Sequence, residues 1–263
     1  MDKQQEVNHG NSESEILEQG DIYFFYRPKK AAEEVKGIED VRRFFMVTAP
    51  EESKLYRLFV IGKKSLPEVR ETEARASERY WARVGGIFND ANELTKELLS
   101  DEFRRGDAAR PAGEGKYAIV KYHNHTELAY VLELPNEPGE AQKELGIEKE
   151  ASYVISVINP KIPKQSNLPT TEEPPKYPQE VLNEFNETEN FVPLSKDTKF
   201  IDYQNAQIIL IGAREGRDVI KSEIGIEIKE EQSQQPSAAD MFNKLKLRRE
   251  QVPMKPLTEG KLE

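Results

Sequence analysis

Gly20-Asp21-Ile22-Tyr23-Phe24-Phe25-Tyr26-Arg27-Pro28-Lys29 is the stretch on which the fold turns. Four consecutive aromatics follow a Gly-Asp turn signal and are closed by Arg-Pro-Lys. Aromatics favour a pleated, packed surface and proline cannot continue a ladder, so the run reads as a β-strand. With period-2 alternation, Tyr23 and Phe25 face one side, and Phe24 and Tyr26 the other. Both faces are apolar. The strand therefore belongs inside the fold, as the central anchor of a sheet, with only Arg27 and Lys29 at its frayed end.

Working outward, further strands are expected over 42–48, 55–62 and 80–88, the first again carrying apolar groups on both faces. The acidic stretch 31–40 reads as a loop or a short helical turn. Pro67 can open an exposed helix over 68–78. A helix is expected over 91–104: Asn89 and Asp90 offer capping oxygens, and Leu94, Leu98, Leu99 and Phe103 recur at helical spacing. A loop over 106–115 leads into a hairpin with arms 116–122 and 128–134, turning at 123–126. A strand over 151–158, a short helix near 179–185, a strand over 206–211 and a short helix over 217–224 complete the pattern. Segments 128–148 and 206–227 echo each other, each closing on Ile/Leu-Gly-Ile-Glu. A glycine after a helix supplies a left-handed cap and the next Ile packs back.

The 263 residues suffice for one large domain. Hydrophobic residues make up 37 %, charged residues 33 %, and mean hydropathy is −0.75, so a sizeable fraction of the chain is expected outside the core. The first fifteen residues are polar and patternless and read as disordered. Six prolines between 159 and 178 mark an insertion, and 230–263 reads as a disordered tail. Within that tail a short amphipathic helix near 237–250 places Met241, Phe242 and Leu245 on one stripe, a candidate docking segment for a protein partner. Its basic end, Lys244 to Arg249, also reads as a nuclear-localisation patch. The absence of cysteine removes disulfides and thiolate chemistry. No apolar run approaches a membrane span and no signal-peptide pattern opens the chain, so the expected location is the cytoplasm, or the nucleus if the source is eukaryotic.

Net charge is −10, which argues against tight non-specific nucleic-acid binding. The charge is uneven. Residues 21–90 hold fourteen Lys/Arg against twelve acids, a net of +2, and this is the only mildly basic part. There Arg27, Lys29, Arg42, Arg43 and Arg57 interleave with aromatics that include Trp81. Bases stacked on aromatics beside a basic groove are how β-barrel modules hold single strands, so these six residues form a candidate nucleic-acid site. His123, His125 and Glu127 would share one face of an extended strand and form a candidate metal site, although they fall at the expected turn. Gly113-Glu114-Gly115-Lys116 lacks the Walker pattern, because Tyr117 stands where Ser or Thr is needed and a strand follows instead of a helix. No nucleophile elbow or other catalytic constellation is present, and no cofactor is implied.

GDIYFFYRPK, with RRFFMVTAPE, RLFVIGKKSLPEVR, HTELAYVLELP and EKEASYVISVINP, resembles a family of uncharacterised microbial proteins. Some of its fungal members carry a BTB-domain transcription-factor label. The likeness spans about 20–160 and the strand over 207–212, and it implies no activity or site residues. The Gly-Asp followed by an aromatic strand also looks like one strand of PUA/EVE-type nucleic-acid-binding barrels. Together these readings predict a single α+β domain over 16–229, mostly an antiparallel sheet or partly open barrel with a few short helices. The leading functional expectation is a non-enzymatic binding or scaffold module. A nucleic-acid-associated barrel comes second, and an enzyme of unknown type third.

Overall fold

The computed structural model describes residues 14–29, 35–69, 79–99, 108–122, 124–162, 173–194, 198–215 and 238–263. The aromatic run lies in β1 (Ser14–Pro28), which is longer than expected because Ser14 to Gly20 also pair. Then follow β2 (Val41–Pro50), β3 (Tyr56–Ile61), β4 (Tyr80–Phe88), α1 (Ala91–Leu99), β5 (Arg110–Tyr122), β6 (His125–Leu134), α2 (Glu140–Leu145) and β7 (Glu150–Ile158). The remaining elements are α3 (Gln179–Glu184), β8 (Phe191–Pro193), β9 (Gln207–Glu215), α4 (Ala238–Leu245) and α5 (Lys255–Thr258).

Around the sheet the order is β6-β5-β1-β2-β3-β4-β9-β7, every neighbouring pair antiparallel, and β6 pairs with β7. The expected sheet is therefore a closed eight-stranded barrel. Closure rests on β7. Along one edge it pairs with β9, and along the other its first half pairs with β6 while its last residues take the short extra strand β8. No long edge of β7 is left open to a second chain.

Alternation assigns the faces. Phe24 and Tyr26 join Phe44, Met46, Phe59, Tyr130 and Tyr153 in one buried cluster drawing on all eight barrel strands, which fills the interior. Both mouths are plugged. At one, Leu66 and Val69 from the β3–β4 connection meet Leu145 and Ile147, and the Leu66 amide donates to the Leu145 carbonyl at 2.9 Å. At the other, Tyr177, Phe185, Phe200 and Ile201 come from the β7–β9 connection.

Tyr23 and Phe25 point outward yet are fully buried. With Phe45, Val47 and Leu58 they form a second cluster roofed by Leu94 and Leu98 of α1 and by Met241, Phe242 and Leu245 of α4. Covering each such side chain contributes roughly 1.5–3 kcal/mol. The Thr95 hydroxyl donates to the Leu245 carbonyl. Lys244 reaches Asp21 at 3.0 Å. The Gln142 amide, fully buried, donates to the carbonyls of Ala112 and Pro256 at 2.7 and 2.8 Å, tying α2 and β5 to α5.

Several expectations are revised here. Segment 110–115, read as loop, is strand, so Gly113 to Lys116 lies in the β5 ladder. His125 and Glu127 lie in β6 and not in a turn. The tail from Ala238 onward packs on the barrel, so Met241, Phe242 and Leu245 are spent on the chain's own core. Asp90 does cap α1, its Oδ1 accepting from the Asn92 amide at 3.0 Å. Gly146 ends α2 in the left-handed region (φ 66°), and the Ile147 amide donates to the Gln142 carbonyl at 2.8 Å, as the Gly-Ile signal implied. The expected helix over 217–224, the first thirteen residues and the proline-rich core 163–172 lie outside the described residues.

Candidate functional site

The six candidate nucleic-acid residues divide. Arg27 and Arg57 are buried, each 2 % exposed. Arg27 donates to the carbonyls of Glu97 and Leu98 at 2.9 and 3.0 Å and lies 5.3 Å from the Phe45 ring centre. It thus satisfies the last carbonyls of α1, where a cation suits the helix dipole. Arg57 faces the interior. Its guanidinium holds Glu18 through two hydrogen bonds of 2.6 and 2.9 Å and Asp202 through one of 2.6 Å. Glu18 also accepts from the hydroxyls of Tyr117 and Thr198 at 2.6 and 2.7 Å.

Burial opposes the Arg57 charge. The hydrogen bonds and charge of Glu18, with the charge of Asp202, outweigh it and raise the pKa of the guanidinium. Burial, with Glu18 beside it, pushes the Tyr117 phenol well up. This satisfied network joins β1, β3 and β5 to the β7–β9 connection. Sequence reasoning missed it, although Arg57 shares its face with Phe59 and Ile61, and a cation on an inward face demands partners.

The other four candidates lie at the barrel end away from Arg57, where Arg27 stands opposite Arg43 in the β1–β2 register. Lys29 is exposed, its amide donating to the Asp40 carbonyl at 2.7 Å. Arg42, Arg43 and Trp81 are half-buried. Register brings two of them together. Phe44 pairs with Ile61 and Ile61 with Ala82, which sets Arg43 beside Gly62 and Gly62 beside Trp81 on one outward rung. The Gly62 amide donates to the Trp81 carbonyl at 3.0 Å. A Cβ on Gly62 would lie 2.2, 2.3 and 2.6 Å from three atoms of the indole. The ring therefore lies face-down across β3, where only glycine leaves room. No carboxylate among the described residues pairs with the Arg43 guanidinium. Lys63 Nζ lies 3.9 Å from the Tyr80 ring centre, and Arg83 donates to Asn205 at 2.9 Å.

The second candidate cluster has a different geometry from the one expected. Glu127, 1 % exposed, meets His125 Nε2 at 2.8 Å and accepts from the Ser152 hydroxyl at 2.5 Å. The carboxylate stands between imidazole and hydroxyl. An acyl-transfer relay needs the imidazole in that middle place. Among the described residues no group of three or more His, Asp or Glu is placed to hold a metal, and His123 lies outside those residues.

No protein-family model, curated protein or solved structure matches the chain. Among the described residues no helix is long and apolar enough to cross a membrane.

Proposed function

We propose that the chain is a non-enzymatic binding module that engages its partner through the outer surface of the barrel. The observation that carries this reading is the filled interior with both mouths plugged by the chain's own apolar groups. Small-molecule barrels keep a cavity open at one mouth. Here the described interior is packed, and the polar groups that reach it near the mouth are engaged with one another.

The tail stripe Met241, Phe242 and Leu245 is not the docking face in this reading, because it covers Tyr23 and Phe25. The ends of β2, β3 and β4 beyond that roof remain, with half-buried Arg43 and Trp81.

A thermal-shift screen of small polar and apolar molecules tests the proposal. The expected result is no stabilising compound, with co-migration of the chain and a macromolecule in gel filtration of cell extract that is lost on Arg43→Glu. A compound that raises Tm, and whose effect disappears in Tyr130→Phe, would place a ligand inside the barrel and overturn the reading.

A further inference from the structure

We propose that the rung Arg43–Gly62–Trp81, with Lys63 and Lys64 at the strand end beside it, is a binding surface for single-stranded nucleic acid; this rests on the binding-module reading above. The indole has one face against the β3 backbone at Gly62, so its other face is directed away from the sheet. Trp81 is half-buried, so part of the ring meets solvent. A flat ring held this way is a stacking platform, fixed before any ligand arrives, and every base offers a π-face to it.

The cations are placed to match. Neighbouring strands are about 4.8 Å apart, so Arg43 and Trp81 stand about 10 Å apart across β3. A nucleotide stacked on the indole would carry its phosphate into the field of Arg43 and of Lys63, the latter held over Tyr80. An acidic peptide would satisfy these cations and leave the aromatic platform unused. The chain's net charge of −10 opposes any polyanion, so binding is local and sensitive to salt.

The chain has one tryptophan, so its emission reports on this ring alone. The probe is a labelled oligopyrimidine of about 12 nucleotides, as RNA and as DNA, within the size such surfaces hold. The expected result is quenching of Trp81 on binding, with affinity falling as salt rises at a slope near −2, as for about three neutralised phosphates. Trp81→Ala should weaken binding about tenfold by the label. Arg43→Glu should weaken it at least as much while Tm is retained.

Three results would overturn the proposal: no binding at about 50 mM salt, binding that neither quenches Trp81 nor responds to Arg43→Glu, or equal binding of polyglutamate with the same Trp81 dependence. Each would leave the binding-module reading standing, since that reading falls only to a small molecule inside the barrel.

Discussion

The Arg57 guanidinium grips Glu18 with two hydrogen bonds, 2.6 and 2.9 Å long, just inside one mouth of the barrel. Arg57 is 2 % exposed and Glu18 9 %, so neither charge is solvated enough to stand alone. Asp202, 35 % exposed, completes the pairing from the β7–β9 connection. Arg57→Ala would leave the Glu18 carboxylate buried with only hydroxyl donors. The expected cost is about 3–5 kcal/mol, read as a lower urea midpoint at unchanged slope. Arg57→Met with Glu18→Gln should cost less than the two single changes summed, because the uncompensated charge is gone.

Alkali should unfold the protein through its tyrosines. Burial is the first cause that raises Tyr23, Tyr117, Tyr130, Tyr153 and Tyr177, with smaller pushes from nearby charged or phenolic groups. An unfolded phenol loses its proton near pH 10 while the folded one keeps it. Stability is then fully present below about pH 10 and falls as pH rises above it. Tyrosinate absorbance from these rings should appear together with the loss of circular dichroism. Titration of all five with the fold intact would contradict the packing.

The tail should be part of the stability unit. Leu245 is fully buried, and Leu245→Ala should cost about 2–5 kcal/mol. Lys244 pairs with Asp21 but is 37 % exposed, so Lys244→Ala should cost less than about 1 kcal/mol. Thermal melts of the two variants side by side check the contrast. Equal small effects would mean that α4 is not docked in solution.

Gly62→Ala tests the indole's seat. The new methyl would sit 2.2 Å from the ring, so Trp81 must lift off β3. The expected cost is about 1–3 kcal/mol, with tryptophan emission shifted to the red as the ring meets water. Unchanged emission would show that the ring does not rest on Gly62.

What the sequence determined alone is what depends on neighbours along the chain. Alternation in Tyr23 to Tyr26 told that both faces of β1 are buried, and the strand at 80–88, the Asp90 cap and the Gly146 cap were legible because each is written within a few residues. The tertiary structure alone decided what lies across the chain. It closed the sheet through β6 and β7, and it folded the amphipathic tail onto Tyr23 and Phe25 instead of leaving it for a partner. It took Arg27 and Arg57 out of the candidate surface and set Arg43 and Trp81 on one rung around Gly62. The partners of Arg57 lie 39, 141 and 145 residues away. A burial pattern can announce that a side chain points inward. Which distant group meets it there is set by strand register and closure, and those are fixed only when the whole barrel packs.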